Sequence, residues 1–400
     1  MTSASKPNIV ISGSGVWTPP ETITNEELVA SYNAYAERFN QENAAAIQAG
    51  KIEEMPISSA RFIEKASGIK SRFVYTRKGI LDINRMRPHF PERKTEDLSI
   101  QAEIAVHAAR KAMEKANKTP SDIDAVIVSC AYTQRAYPAI AVEVQNAIRI
   151  AGFGFDMLMA CSAATFGLHR AYDSLASGSA RCVLAINPEL MTPMVNYLDR
   201  ESHFIFGDVS TAVIMERADT VTAENSFEVL STKADTFFSN NIRSGFGHIS
   251  RATDEDPYGR EKLFHQQGRK VFEEVSPRAA LHMKNHLAQL GFSPADVKRY
   301  WLHQANINMN NMVIKHLFNG LEGRGKGGLS GLSGPGGQNG RLGPGEPDAP
   351  TIIDRYANTA SAGVIIAFDQ YNKDLKKGDI GMICSFGAGY SIGSLVLKKR

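Results

Sequence analysis

TPSDIDAVIVSC, residues 119–130, places a turn (Thr119-Pro120-Ser121-Asp122) ahead of a short apolar run, Ala125-Val126-Ile127-Val128-Ser129-Cys130. SPADVKRYWLHQ, residues 293–304, aligns with it without a gap. Pro and Asp sit in turn positions in both, and each run is too short for a helix and rich enough in large apolar residues for a buried strand. Long helical patterns precede them, at Ile100–Ala116 and Gly268–Leu290. Helix, turn and strand therefore occur twice in the same order, which predicts a duplicated α/β unit in a layered architecture.

Outward from these stretches the alternation continues. Asn8–Gly13, Cys182–Ile186 and Thr211–Met215 read as strands and Phe166–Ser177 as a helix. Residues 26–57 form an insertion in which Leu28, Tyr32, Tyr35 and Phe39 recur at helical spacing. That pattern predicts an amphipathic helix, either a surface helix or a cap over a substrate channel. Residues 320–347 hold twelve glycines and three prolines, too few apolar groups to bury a core, and are expected to be a disordered loop.

The 400 residues, 43% hydrophobic, suffice for a large core. The 45 basic and 42 acidic residues nearly cancel, to a net +3, without a long Lys/Arg block, which argues against nucleic acid as the ligand. Cys130, Cys161, Cys182 and Cys384 are widely separated with no C-x-x-C pair, so free thiols in a reducing compartment are expected and a zinc site is not. The start of the chain lacks an apolar signal core, and no apolar run approaches a membrane span. A soluble cytoplasmic protein is the expectation.

Three segments carry groups suited to acyl chemistry. Cys161 lies in Met159-Ala160-Cys161-Ser162-Ala163-Ala164, on a predicted strand-to-helix turn. The helix dipole and free N–H groups there predict a thiol pKa below its usual ~8.5. A buried packing cysteine is the alternative, and packing is the reading adopted for Cys130, Cys182 and Cys384. His303 follows the strand Tyr300-Trp301-Leu302, in His303-Gln304-Ala305-Asn306. A neutral imidazole there could hydrogen-bond an acyl oxygen, or could be structural. Asn358, in Ala357-Asn358-Thr359-Ala360-Ser361, offers a carboxamide donor or a helix N-cap, and Thr359 or Ser361 could cap instead. Near the C-terminus, Phe386-Gly387-Ala388-Gly389 lets backbone approach a ligand, and the N–H groups of Ala388 and Cys161 could form an oxyanion hole.

Together these segments resemble the β-ketoacyl-ACP synthase III group of the thiolase superfamily. The likeness runs through ISGSGVWTPPETITNEEL (11–28), GIKSRFV (68–74), DIDAVIVSCAYTQRAYP (122–138), MACSAA (159–164), FGDVSTAVIM (206–215), GRKVF (268–272), HQAN (303–306), ANTASAG (357–363) and FGAGYSIGS (386–394). It implies an α/β, thiolase-like five-layer αβαβα fold from two duplicated halves. Residues 1–219 would carry the nucleophile Cys161 and inserted segments near 26–57 and 77–98; residues 220–400 would carry His303 and Asn358. It implies an acyltransferase of fatty acid biosynthesis that acylates Cys161 from acyl-CoA. Malonyl-ACP would then condense with loss of CO2, promoted by His303 and Asn358, and no cofactor or metal would be needed. Cys161 and Ala388 would supply the oxyanion hole.

The resemblance further implies a homodimer, with Tyr137 entering the partner's acyl pocket, and a coenzyme A site in which Arg200 faces Phe62, which stands where the family has Trp. Adenine would stack between Phe62 and Arg200. Tyr137 also stands where the related olefin-forming enzymes carry a Glu base, which favours the decarboxylating reaction. The cations that dock the acyl carrier protein in the family are replaced by Asn308 and Glu273, leaving Arg269, Lys270 and Lys315 to substitute. Three other readings fit the same motifs: condensation of two acyl-CoAs, acyl transfer to a secondary-metabolite precursor, and a non-catalytic partner subunit.

Overall fold

The structure, a computed structural model, describes residues 7–245, 259, 262–319 and 348–400. The Gly-rich stretch 320–347, expected to be a disordered loop, lies outside the described residues. A nine-stranded mixed sheet organises the chain, in the order Val297–Leu302, Ile380–Gly387, Gly389–Lys399, Phe227–Ser239, Ile9–Trp17, Val209–Arg217, Cys182–Glu189, Ala125–Cys130, Phe153–Leu158. Among the described residues its two parts are joined by strand pairing at Val10↔Glu228 and Ile11↔Phe227.

The four-strand order 297–302, 380–387, 389–399, 227–239 repeats the order 125–130, 182–189, 209–217, 9–17. The first pair in each set is parallel and the next two pairs are antiparallel. The aligned turns repeat too. Pro120–Asp122 and Pro294–Asp296 are both single 3₁₀ turns closed by a capping box, Thr119 with Asp122 and Ser293 with Asp296. The acidic side chain accepts the cap N–H while the cap hydroxyl meets the acid, so the turn is held before the strand starts.

Apolar side chains sort these elements into five layers. Helices Ala163–Ala176 and Ala362–Gln370 lie in the middle: Leu168, Leu175, Val364, Ile365 and Phe368 pack with Ile9, Ile127, Val183 and Val213 of one part of the sheet and with Trp301, Ile383 and Leu395 of the other. Helices Ile100–Ala116 and Ile140–Ile148 cover the far face of the first part through Val126, Val128, Leu184 and Ile186. Gly268–Gln289 and Ile307–Phe318 cover the far face of the second through Tyr300, Leu302, Met382 and Val396. The arrangement is the expected αβαβα. Burying each large aliphatic chain here stabilises the fold by about 1.5–3 kcal/mol, which is why strands buried on both faces read as unbroken apolar runs. Cys130, Cys182 and Cys384 sit inside these layers as buried thiols.

The insertion at 26–57 contains a long helix, Asn25–Glu42, started by a Thr24/Glu27 capping box. Leu28 and Tyr32 are buried, and the Tyr32 ring stacks on His203 with centroids 4.7 Å apart. The segment at 77–98 is turns and loop, pinned by Arg93, which donates to the Leu98 carbonyl, the Tyr75 hydroxyl and the Glu103 carboxylate.

Candidate active site

Each candidate residue leaves the end of a buried element. Strand Phe153–Leu158 passes through the 3₁₀ turn Ala160–Ser162 into helix Ala163–Ala176, and Cys161 occupies that turn. Strand Val297–Leu302 delivers His303, whose N–H donates to the Cys384 carbonyl at 2.9 Å. Asn358 precedes the other central helix, fixed by its N–H to the Ile205 carbonyl (3.0 Å) and by its carbonyl, which accepts from the Gly207 N–H at 3.1 Å. The three side chains line one cavity of about 230 Å³, together with Phe62, Phe204, Ile205, Phe272, Met309, Phe386 and Gly387.

The local chemistry differs from residue to residue. Asn358 is not the N-cap; Ser361 holds that position. The Asn358 Oδ1 instead accepts from the Ala360 N–H at 2.9 Å, which orients the carboxamide and leaves its NH2 without a partner among the described residues. His303 packs edge-on against Phe386, its buried Nδ1 has no partner among the described residues, and burial pushes its pKa down to about 4. The ring is therefore neutral at pH 7 and can donate a hydrogen bond without carrying charge. Ala160, Ala357 and Ala360, which flank Cys161 and Asn358, adopt φ of 45°, 56° and 46°. Alanine rarely enters this left-handed region, so both loops store local strain.

One expectation is reversed. Cys161 was expected to have a lowered pKa, but burial, followed by the nearby Glu189 carboxylate, pushes the thiol up to about 12. Its own backbone N–H acts in the lowering sense but is outweighed, because apolar surroundings penalise the thiolate more than one turn of helix rewards it. Cys161 rests as a thiol. Its alkylation by iodoacetamide is expected to be slow at neutral pH and to rise roughly tenfold per pH unit from about pH 7 to 11, since only the thiolate reacts. A rate that levels off above about pH 9 in a pH series would show an ordinary thiol instead.

The family model described as 3-oxoacyl-[acyl-carrier-protein (ACP)] synthase III matches residues 155–236, and that for its C-terminal part matches residues 340–399. The beta-ketodecanoyl-[acyl-carrier-protein] synthase of Pseudomonas aeruginosa is 48% identical over 370 residues, 92% of this chain and 99% of that protein. The chain belongs to the 3-oxoacyl-[acyl-carrier-protein] synthase III family. It is an enzyme of the condensing acyltransferase type, of fatty acid biosynthesis. Among solved structures, the priming β-ketosynthase of the R1128 polyketide pathway matches with a TM-score of 0.72 at 20% identity, covering 100% of this chain and 98% of that one. OleA of Xanthomonas campestris with bound lauric acid and lauroyl-CoA matches with 0.69 at 16% identity, covering 98% and 99%. Both share the thiolase-like fold.

Other residues singled out in this synthase III chain are placed as follows. Gly387 touches the nucleophile: a Cβ there would come 2.7 Å from the Cys161 Cβ and 3.0 Å from its backbone N. Ala388, the oxyanion candidate, is the next residue. Gly387→Ala is therefore expected to cost about 1–3 kcal/mol in thermal unfolding by overpacking, and roughly 10²-fold in turnover by displacing Cys161. Arg200 and Phe62 do meet, but the guanidinium lies directly on the ring, 3.8 Å from its centroid, while Arg200 Nε donates to the Ile57 carbonyl at 2.8 Å. The slot expected to take adenine between them is closed, and a base could enter only if Arg200 swung away. Tyr137 is 85% exposed and does not line the cavity of its own chain.

No residue of 26–57 lines the cavity itself; the inserted segment instead lines a neighbouring groove together with Arg200. It braces the wall, since Tyr32 stacks on His203 beside the lining Phe204. Of the replacement cations, Arg269 is engaged with Glu273 at 2.9 Å. Among the described residues no cluster of His, Cys, Asp or Glu could hold a metal ion, and no helix is long and apolar enough to cross a membrane.

Sequence reasoning missed Glu189. This carboxylate is fully buried at the end of strand Cys182–Glu189, and it accepts from the Ala131 N–H (3.1 Å), the Ser361 N–H (3.2 Å) and the Ser361 hydroxyl. The available signal was an acid closing the apolar run Val183-Leu184-Ala185-Ile186.

Proposed function

We propose that this enzyme performs a decarboxylating Claisen condensation of an acyl-CoA with malonyl-ACP through an acyl-Cys161 intermediate. The observation that carries this reading is the convergence of a thiol, a neutral imidazole and an unengaged carboxamide on one cavity. In the first half-reaction the Cys161 sulfur attacks the acyl thioester, coenzyme A leaves as its thiol, and the N–H groups of Cys161 and Ala388 receive the oxyanion. In the second, the malonyl carbon–carboxylate bond breaks to release CO2. The electron pair becomes an enolate whose oxygen accepts hydrogen bonds from His303 and Asn358, and its carbon attacks the Cys161 thioester. Sulfur departs as thiolate and takes up a proton. The product is a 3-oxoacyl-ACP two carbons longer, and neither metal nor cofactor is needed.

The 48% identical relative is named for a β-ketodecanoyl product. A ten-carbon product requires an eight-carbon primer, so octanoyl-CoA is the primer assigned here. Purified enzyme with malonyl-ACP and acyl-CoAs of two to twelve carbons tests it. β-Ketodecanoyl-ACP from octanoyl-CoA should exceed the product from acetyl-CoA by roughly tenfold or more. Preference for acetyl-CoA would overturn the assignment, and product formed without malonyl-ACP would overturn the decarboxylating reaction.

The working form we assign is a cytoplasmic homodimer. Strand Phe153–Leu158 ends the sheet with its outer edge unpaired among the described residues, and Tyr137, Val142, Phe153 and Leu158 are exposed around it. A second copy pairing there would cover that edge and those side chains. The four free thiols suit a reducing compartment.

A further inference from the structure

Glu189 is a fully buried acid at the end of strand Cys182–Glu189. No cation among the described residues pairs with it, and its hydrogen bonds come from Ala131, just after strand Ala125–Cys130, and from Ser361, in the loop that carries the cavity-lining Asn358. Ser361, which donates twice, is three residues beyond Asn358 and one beyond the left-handed Ala360, whose N–H holds the Asn358 carboxamide. Ala131 follows Cys130, whose carbonyl accepts the Met159 N–H at 3.3 Å, two residues before Cys161. One side chain thus bridges the strained segment that aims Asn358 and the strand end beside the nucleophile.

We propose that Glu189 is a positioning residue for the condensation, holding the Asn358 carboxamide in its productive orientation by clamping Ser361 to the strand end at Ala131. This rests on the reading above, in which Asn358 serves decarboxylation. A carboxylate suits the task because it is acceptor-only and can face three donors at once, whereas an amide in its place would turn an N–H toward one of them. The clamp also has an electrical side. Glu189 faces Cys130, Tyr132 and Cys161, and its charge disfavours the thiolate at Cys161. Burial raises Glu189 to about 7, so the charge develops through neutral pH, and its removal should ease ionisation of Cys161 above that range.

These two effects have opposite signs, which separates positioning from a general structural role. In Glu189→Gln, release of CO2 from malonyl-ACP should fall by roughly tenfold or more, while acylation of Cys161 by octanoyl-CoA, read by intact mass, stays within about threefold. Iodoacetamide alkylation of Cys161 at about pH 8.5 should rise by roughly threefold or more. Ser361→Ala, which removes one donor but keeps the carboxyl group, should reproduce the loss of CO2 release with a smaller gain in alkylation than the Gln variant, and serves if the Gln variant does not fold. CO2 release within about twofold of wild type in both variants would overturn the proposal, as would a parallel loss of CO2 release, acylation and alkylation. If the wild-type enzyme itself releases no CO2, the proposed function fails; Glu189 is then judged on alkylation, and an unchanged rate in Glu189→Gln overturns its role as well.

Discussion

Cys161→Ala is expected to yield no acyl-enzyme and to lower condensation by roughly 10⁴-fold or more, the scale seen when a nucleophile is deleted from a preformed site. The size follows from the division of labour in the cavity. Once the sulfur is gone there is no covalent intermediate to attack, and neither His303 nor Asn358 can supply one. Intact-mass analysis after incubation with octanoyl-CoA reads the first half-reaction directly, and product analysis with malonyl-ACP reads the whole. Full condensing activity in this variant would refute the mechanism. The raised thiol pKa adds a kinetic signature: acylation of the wild-type enzyme should quicken as pH rises, because the fraction of Cys161 present as thiolate grows.

The second large effect belongs to the pair that faces the malonyl group. His303→Ala and Asn358→Ala should each reduce CO2 release by roughly 10²–10³-fold, the cost of about 2.7–4 kcal/mol for one missing oxyanion donor. Both should still form the acyl-enzyme, since Cys161 and the Ala388 loop remain, so acyl-Cys161 is expected to accumulate. The double variant should lose less than the sum of the two, because both donors serve one oxygen. Failure of both single variants to acylate would contradict this separation of roles. At acidic pH the imidazole should stay neutral until about pH 4, so His303 ought not to limit decarboxylation anywhere near neutrality.

Much of this architecture was legible because it is written in short-range chemistry. The capped turns at 119–122 and 293–296 and the apolar strands after them announce the repeat, and alignment of the two segments anticipates the repeated strand order. The meeting of Cys161, His303 and Asn358 was anticipated through motif order and resemblance. Its electrostatics were not. A helix N-terminus is visible in sequence, whereas the burial and the distant Glu189 that overrule it depend on how layers stack. The pairing of Arg200 with Phe62 was anticipated, but not the closing of the slot between them, since Arg200 is anchored by the carbonyl of Ile57 far away in the chain. The inserted helix showed its periodicity but not which wall it would brace.

The left-handed alanines at 160, 357 and 360 bear on heat as well as chemistry. Loops held against their own preference are kept in place by the layers around them, and they relax first when those layers loosen. Turnover in this enzyme should consequently fade on warming while the five-layer body is still intact, so that the temperature limit for catalysis lies below the melting point of the fold.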